Sequence, residues 1–370
     1  MYRKTWMEID LGSIEENIRT AKRVSGKQII AVVKADGYGV GDMAVVSTAL
    51  NAGACMMAVS SCEEALILRN KGYTGECLIL GHTDIEDLPV LAKEGIAVPA
   101  YSGSWVKKAA ETDCPGLKVH MAADTGMNRI GFREPEELKE SIQLLQNSQC
   151  NVEGIFTHFC CADSDAQFTE RQFQQFAEFV RTADFPFRYI HCDNSEATLS
   201  FSDPLSNTCR FGMGMYGISD TYRGLSHAAA LYSTVFLVKQ VKKGESIGYG
   251  ATYRTAEDEW IATISIGYAD GLIRKNQGRY VYVDGEYVPI VGRVCMDQTM
   301  IRLNHPVEEG TKVEIFGPHI PLEQMAKDLE TIPYEILSLI SERVTRVYMR
   351  NGIQVSERNG RVLESHVNAE

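Results

Sequence analysis

Lys34 follows a dense run of apolar, β-branched residues and precedes a turn with three glycines, in the segment IIAVVKADGYGVG (residues 29–41). The run predicts a strand buried on both faces, and the glycines predict a turn with dihedrals that other residues avoid. An ammonium at an apolar strand end loses hydration, so its pKa falls and the free amine becomes a nucleophile for a carbonyl compound. Pyridoxal phosphate is the carbonyl compound that this chemistry suggests. The alternative is a lysine that extends from the strand end into solvent.

Other polar residues follow later apolar runs at comparable places. They are Arg129 after the fifth run, His158 at the end of the sixth, Asn194 and Ser195 after the seventh, and Arg210 and Gly212 in the eighth. Taken singly, His158 is typical of a buried core histidine and Arg129 of an ion-pair partner. One polar group at each of several strand ends favours a common site. The Ser195 hydroxyl and amide, with the amides after Gly212, could hold a phosphate, and the alternative is a plain turn.

The elements that must position these residues alternate along the first part of the chain. Eight apolar runs are separated by helical patterns: 29–33, 55–59, 77–80, 96–98, 117–121, 152–156, 189–192 and about 209–216. This alternation predicts an α/β fold with parallel strands, a (β/α)₈ TIM-like barrel over residues 1–227. A helix over 13–24, with a capping box from Ser13 and Glu16, is predicted before the first strand.

After about residue 228 the pattern changes to alternating β-rich runs. The Asp284-Gly285 pair between two of these runs is a strong hairpin signal. Residues 228–370 therefore predict a mostly β C-terminal domain, and no flexible linker separates it from the barrel.

Composition limits the partners of this chain. The 370 residues carry a formal net charge of −12, which disfavours nucleic acid and anionic lipid and leaves a small molecule. Ten cysteines without a C-x-x-C pair or zinc-like spacing predict reduced core residues and no metal site. No apolar stretch has the length of a secretory signal or a membrane span, so we expect a cytoplasmic protein.

Eight segments together resemble one known family. They are AVVKADGYGVG around Lys34, DTGMNRIGF around Arg129, THF with His158, HCDNSEATL with Asn194 and Ser195, RFGMGMYG with Arg210, GYGATY with Tyr249, SIGYADG with Tyr268, and VGRVCMDQTM with Cys295, Met296 and Asp297. In this order, over nearly the whole chain, they resemble the alanine racemase family. The resemblance implies a fold-type III pyridoxal-phosphate enzyme with a barrel, a β domain and a head-to-tail homodimer.

The resemblance also implies a two-base mechanism. Lys34 would hold the cofactor and exchange the α-proton on one face of the substrate, and the partner subunit's Tyr249 would act on the other face. Arg210 would face the pyridine nitrogen and keep it unprotonated. The other implied cofactor contacts are Tyr38, His158, Asn194, Ser195, Gly212 and Met213. The implied substrate contacts are Arg129, Tyr268, Cys295, Met296, Asp297 and Glu342.

Two positions depart from the family pattern. Ala122 stands where many members carry a lysine, often carbamylated and anionic, that orients the arginine at position 129. Another anion is therefore expected to steady Arg129. Glu342 stands where the family usually has a tyrosine, and we expect its carboxylate to turn toward an arginine such as Arg343 or toward the substrate side chain.

Three functions stay open at this point. The first is an alanine racemase that supplies D-alanine for peptidoglycan. The second is a serine-preferring or broad racemase, suggested by Glu342 and Ala122. The third is a non-catalytic pyridoxal-phosphate carrier, which has little support because such carriers lack the β domain.

Overall fold

The computed structural model describes residues 3–360, and the chain divides into two compact units. One unit comprises Ser13–Gly37 and Gly41–His227 and is called here the barrel unit. The other comprises Met1–Gly12, Tyr38–Val40 and Ala228–Glu370 and is called the C-terminal unit.

The strands and helices as far as residue 216 are as follows. The strands are β1 (Thr5–Asp10), β2 (Gln28–Val32), β3 (Met56–Val59), β4 (Cys77–Ile79), β5 (Ile96–Ala100), β6 (Lys118–Ala122), β7 (Asn151–Phe156), β8 (Tyr189–His191) and β9 (Thr208–Phe211). The helices are α1 (Leu11–Ser25), the short turn α2 (Lys34–Tyr38), α3 (Asp42–Asn51), α4 (Cys62–Asn70), α5 (Leu88–Lys93), α6 (Gly103–Glu111), α7 (Pro135–Gln146), α8 (Ala166–Ala183) and α9 (Ser195–Ser200). Two 3₁₀ turns cover Ile85–Asp87 and Met213–Tyr216.

The barrel unit contains one parallel sheet in the order β8-β7-β6-β5-β4-β3-β2-β9. Its two end strands are linked by main-chain hydrogen bonds from Asn207 N–H to Ile190 C=O (3.1 Å) and from Arg210 N–H to Asp193 C=O (3.0 Å). The eight strands therefore form a nearly closed barrel, and the predicted TIM-like fold is confirmed. The strands are almost entirely buried, which explains their continuous apolar sequences.

The helix before the barrel begins earlier than predicted. It starts at Leu11, and the Asp10 carboxylate accepts a hydrogen bond from Gly12 N–H at 2.8 Å. Ser13 thus lies inside the helix, and the prediction that it caps the helix is wrong.

The remaining elements belong to the C-terminal unit. The strands are β10 (Ala229–Val241), β11 (Ser246–Ile247), β12 (Tyr253–Arg254), β13 (Glu259–Ile264), β14 (Tyr280–Val283), β15 (Glu286–Pro289), β16 (Thr299–Leu303), β17 (Lys312–Phe316), β18 (Thr345–Arg350) and β19 (Ile353–Arg358). The helices are α10 (Leu322–Leu329) and α11 (Pro333–Leu339), with 3₁₀ turns at Tyr249–Ala251, Tyr268–Asp270 and Arg274–Asn276.

Nine strands of the C-terminal unit form one mainly antiparallel sheet with a path β15-β14-β17-β10-β1-β18-β19, and β13 connects β10 to β16. Strand β1 lies inside this sheet, antiparallel to β10 and parallel to β18, a pairing that the sequence analysis did not anticipate. The Asp284-Gly285 hairpin is confirmed, because β14 and β15 pair around it and both residues have positive φ (49° and 86°).

Candidate active site

Lys34 lies directly after β2, at the end of the barrel where strand C-termini meet, and the turn that follows has an unusual conformation. Ala35, Asp36 and Gly37 have φ between 52° and 63°, all left-handed. Each non-glycine residue there costs roughly 1–2 kcal/mol, so the surrounding structure must hold the turn. The Glu64 carboxylate does so: it accepts from Ala35 N–H at 2.7 Å and from the Ser60 N–H and hydroxyl at 2.8 Å each.

The environment of Lys34 lowers the pKa of its amine. Burial is the largest cause, the positive charge of Arg129 is the second, and the negative charge of Glu64 opposes them. A larger fraction of the amine is therefore unprotonated at neutral pH than for a solvent-exposed lysine, as nucleophilic attack on an aldehyde requires.

Arg210 on β9 is 4% exposed and donates hydrogen bonds in several directions. Its Nη1 and Nη2 donate to the main-chain oxygens of Thr157, His191 and Cys192 at 2.7–3.0 Å. They also donate to Nδ1 of His191 at 2.8 Å and to Nδ1 of His158 at 3.2 Å. Burial lowers the pKa of Arg210 to about 10, so the guanidinium is still charged at neutral pH. No residue among 3–360 accepts from its Nε–H.

These hydrogen bonds fix the tautomers of the neighbouring histidines. A guanidinium can only donate, so Nδ1 of His158 and of His191 must accept, and each neutral ring carries its proton on Nε2. Burial, followed by the charges of Arg210, Arg129 and Lys34, lowers the pKa of His158 to about 3. His158 is therefore neutral at physiological pH and presents an Nε2–H.

The tautomer of His191 in turn determines the tautomer of His120. Nε2 of His191 and Nδ1 of His120 are 2.9 Å apart, so His191 donates and His120 carries its proton on Nε2. Within the described residues this buried Nε2 meets no partner. Neither histidine was predicted as a site residue from sequence, although His191 lies in the HCDNSEATL segment.

Asn194, Ser195 and Gly212 are brought together as the barrel topology predicts. Asn194 caps α9 by accepting from Ala197 N–H at 3.0 Å, and its amide donates to the Phe159 carbonyl at 3.1 Å. The Ser195 hydroxyl accepts from Gly212 N–H at 2.9 Å. Met213, the other expected phosphate contact, is buried in the adjoining 3₁₀ turn. A hydroxyl and main-chain amides thus cluster at the mouth of the barrel.

Arg129 lies in an exposed loop that follows β6. The Asp124 carboxylate stabilises this loop by accepting from the main-chain N–H of Gly126 (3.1 Å) and of Asn128 (2.9 Å). Ala122, in the strand before the loop, is buried and leaves no ionic group there. In the part of the chain that the structure describes, no carboxylate of the same chain pairs with Arg129, and the anion expected to steady it stays a prediction.

Gln172 on α8, a residue that no sequence motif indicated, connects the Arg129 loop to the His158 strand end. It is 1% exposed, and its Nε2 donates to the His158 carbonyl (3.2 Å) and to the Thr125 hydroxyl (3.3 Å). Its Oε1 accepts from Cys160 N–H at 3.0 Å. One buried amide thus positions two loops that carry site residues.

Tyr249 and the segment 295–297 line one cavity of about 650 Å³ within the C-terminal unit. Tyr249 is 70% exposed and Met296 is 53% exposed. Tyr268 lies beside this segment, because its N–H donates to the Cys295 carbonyl at 3.0 Å. Arg293 packs so closely on Gly250, next to Tyr249, that a Cβ at Gly250 would lie 2.8 Å from Nη1. A cation therefore adjoins the Tyr249 turn.

Tyr38 also packs with the C-terminal unit. Its ring centroid lies 6.3 Å from that of Tyr334 in α11. The adjacent Gly39 cannot carry a side chain, because a Cβ there would lie 2.5 Å from the Leu337 carbonyl oxygen. The segment after the left-handed turn is thus fixed by close packing.

Glu342 is exposed and lies against Gly360. The expected pairing of Glu342 with Arg343 is wrong, because Arg343 pairs with Asp297 at 2.6 Å and with the buried Asp270 at 3.4 Å. Asp297 therefore anchors Arg343 at the edge of the Tyr249 cavity, and Glu342 has no ionic partner within residues 3–360.

Over residues 3–360, no helix is both long and apolar enough to cross a membrane. All ten cysteines lie in this part of the chain and are free thiols, but only four of them are buried, so the prediction that all ten are core residues is wrong; the buried ones are Cys77, Cys114, Cys192 and Cys209.

Comparisons with known proteins cover both units. The family model for the alanine racemase N-terminal domain matches residues 9–220, and that for the C-terminal domain matches residues 228–348. An alanine racemase from Halalkalibacterium halodurans is 40% identical over 97% of this chain and 98% of its own length.

Solved structures agree with these matches. Alanine racemase from Bacillus anthracis with bound L-Ala-P has a TM-score of 0.92 and 40% identity, over 97% of this chain and 98% of that one. A histidine racemase from Leuconostoc mesenteroides has a TM-score of 0.87 and 28% identity, over 94% of this chain and 98% of that one. The chain therefore belongs to the alanine racemase family, which are isomerases acting on amino acids.

Proposed function

We propose that this protein interconverts L- and D-alanine with pyridoxal phosphate, using Lys34 and Tyr249 as its two bases. The observation that carries the proposal is the half-buried Lys34 amine, with a lowered pKa, in a chain that shares 40% identity with alanine racemases. A non-catalytic carrier is disfavoured, because the C-terminal domain of the family is present.

Pyridoxal phosphate offers an aldehyde, a pyridine nitrogen and a phosphate, and the barrel unit supplies a suitable partner for each. Lys34 supplies the amine for the aldehyde, and the Arg210 Nε–H remains for the nitrogen. The Ser195 oxygen accepts from Gly212 N–H, so the Ser195 O–H remains as a donor for the phosphate, and Tyr38, Asn194, Gly212 and Met213 are the further proposed contacts. When bound, the cofactor withdraws electrons from the substrate and so makes its Cα–H acidic.

The remaining roles belong to the protein. Arg129 and the Met296 amide would hold the substrate carboxylate, while Tyr268, Cys295 and Asp297 shape the pocket. His158, neutral with its proton on Nε2, would lie against the cofactor ring. Lys34 would move the α-proton on one face, and the partner subunit's Tyr249 on the other, in a homodimer that shares its active sites.

The test is racemisation of L-alanine by the cofactor-loaded protein, followed by circular dichroism. We expect Lys34→Ala and Tyr249→Phe each to abolish most activity, and Tyr280→Phe, a control at another exposed tyrosine (55%), to retain it. Full activity of both site variants would refute the two-base proposal.

Mixing the two inactive variants tests the shared site. In a heterodimer of Lys34→Ala and Tyr249→Phe chains, one site lacks both groups and the other has both. Random re-association should restore roughly a quarter of the wild-type activity if sites are shared across a twofold axis. No recovery would mean that both bases come from one chain.

A serine-preferring or broad racemase is the second candidate, and it rests on Glu342. This carboxylate is exposed and unpaired within the described residues, so it is free to meet a polar substrate side chain. We would compare kcat/KM for L-alanine, L-serine and L-histidine in wild type and Glu342→Tyr. Negligible turnover of serine and histidine by the wild type would eliminate this candidate.

We further propose that the product serves peptidoglycan synthesis in the cytoplasm. Ten free thiols fit a reducing compartment. Growth of a D-alanine auxotroph on expression of the chain, and no growth with Lys34→Ala, is the expected result.

A further inference from the structure

Cys160 and Cys161 are adjacent thiols on the turn between β7 and α8, two and three residues beyond His158. Their Sγ atoms are 3.5 Å apart, with the Cys161 thiol donating to the Cys160 sulfur. Cys160 is exposed and Cys161 is partly exposed. Both sulfurs therefore lie on the same side of the turn, within reach of solvent.

The turn itself is well ordered by hydrogen bonds. The Cys161 carbonyl accepts from Ser164 N–H (3.1 Å) and from Asp165 N–H (2.9 Å). The Cys160 thiol donates to Oε1 of Gln172 at 3.4 Å. The two sulfurs are thus held in place before any ligand arrives.

The spacing favours a bridging atom over a direct disulfide. Adjacent Cα atoms across a trans peptide are about 3.8 Å apart, whereas disulfides prefer roughly 4.4–6.8 Å, so a direct bond would be strained. Two sulfurs bound at about 2.3 Å to one centre are roughly 3.4 Å apart for the angle of about 95° of a pyramidal centre and roughly 3.8 Å apart for a tetrahedral one, so the 3.5 Å seen here suits a pyramidal centre. A centre that binds the two sulfurs in a straight line would place them roughly 4.6 Å apart if the bond length were the same.

Among the described residues, the nearby side chains do not complete a metal site. The one group of three potential ligands that the structure places together is Cys192, Asp193 and Asp203, elsewhere in the barrel. Zinc usually requires four ligands, and this pair offers only two. An atom that needs no more than two protein sulfurs therefore fits the pair better.

We propose that Cys160 and Cys161 form a chelating dithiol site for trivalent arsenicals at the mouth of the barrel. With an arsenoso compound, two S–H bonds and the As=O bond break and two As–S bonds form. The two thiol protons leave with the oxygen as water, and no atom changes oxidation state.

Occupation of the site would inhibit the enzyme, a consequence that rests on the proposed racemase function. Gln172 bonds to Cys160 and also to the His158 carbonyl and the Thr125 hydroxyl. A rigid arsenic-bridged ring at 160–161 would therefore displace Gln172. This displacement would weaken its hydrogen bonds to the two loops that carry His158 and Arg129. Although the Cys160 side chain is exposed, partial loss of hydration at its sulfur and the hydrogen bond with Cys161 raise its pKa to about 11, so alkylation through the thiolate should be slow.

The experiment treats the holoenzyme with phenylarsine oxide and measures intact mass and racemase activity. We expect one phenylarsenic group per chain, mapped to 160–161, with loss of most activity. A dithiol, 2,3-dimercaptopropanol, should reverse both effects, whereas excess 2-mercaptoethanol should not.

Cys160→Ala and Cys161→Ala should each keep activity and lose the adduct. Cys150→Ala is the matched control, because Cys150 and Cys114 form another close pair with sulfurs 3.9 Å apart. An adduct that persists in Cys161→Ala, or that disappears in Cys150→Ala, would overturn the site. An adduct without inhibition would overturn the coupling to activity. The mass readout tests the site even if the chain does not racemise alanine.

Discussion

At the scale of single residues, burial and the neighbouring charges together lower the pKa of Lys34. Arg129 is the largest electrostatic cause of the lowered pKa of Lys34, after burial. A positive neighbour disfavours the ammonium form, so removing it should let the amine hold its proton to higher pH.

Arg129→Gln should therefore raise the pKa of Lys34 toward its ordinary value. The measurement is competitive acetylation of the apoprotein as a function of pH, read at Lys34 by mass spectrometry. Arg133→Gln, at an exposed arginine of the same loop, is the control and should leave the midpoint unchanged. An unchanged midpoint in Arg129→Gln would show that the charge of Arg129 does not contribute to this pKa.

His158 supplies a second prediction at this scale. Because its pKa lies near 3, the ring should stay neutral from pH 5 to pH 8 and contribute no inflection to the activity profile there. An NMR titration of the His158 ring should show no shift change over this range. A midpoint near 6.5, the value of an unperturbed histidine, would contradict the donor pattern around Arg210.

At the scale of elements, α8 supports the site through Gln172. The change Gln172→Glu keeps the size of the side chain but replaces its Nε2 donor with an acceptor facing the His158 carbonyl. We expect the free energy of unfolding to fall by about 1–3 kcal/mol, because a buried carbonyl loses its donor. We also expect KM for alanine to rise more than kcat falls, because the Arg129 loop is displaced.

Gln175→Glu is the matched control for this change, since Gln175 is exposed on the same helix. Thermal denaturation and steady-state kinetics together distinguish positioning from general destabilisation. A KM unchanged in a destabilised Gln172→Glu protein would assign Gln172 a structural role only.

The barrel could be predicted from sequence because strands buried on both faces have continuous apolar runs, such as 29–33 and 152–156. Strand β1 has an alternating burial pattern, and its partner strands lie more than 200 residues away in the sequence. The local sequence pattern therefore did not indicate which sheet β1 joins. Glu64 was missed for a related reason. Ser61 and Glu64 show the capping-box spacing, but this local signal does not reveal the bond to Ala35, 29 positions earlier. The lowered pKa of Lys34 could be predicted because Lys34 directly follows an apolar run, and its role in catalysis stays a proposal.

At the scale of the whole molecule, the C-terminal unit presents exposed apolar side chains beside Tyr249. Phe236 (39% exposed), Leu237 (40%) and Met296 (53%) line the same cavity as Tyr249. Clustered apolar exposure of this kind marks association surfaces. We interpret it as the surface that meets the barrel unit of a second copy, in line with the proposed homodimer.

Phe236→Glu should therefore weaken the dimer and reduce racemisation together, because a carboxylate placed in an apolar interface loses hydration without gaining a partner. Leu144→Glu is the control, since Leu144 is similarly exposed (38%) on α7 of the barrel unit. Sedimentation velocity measures the association, and circular dichroism of alanine measures the activity over the same protein concentrations. If the dimer supplies Tyr249 to each site, the activity of Phe236→Glu should recover as concentration restores the dimer. Activity that stays high in a monomeric variant would show that one chain contains both bases, and the shared-site proposal would then fail even though the family assignment stands.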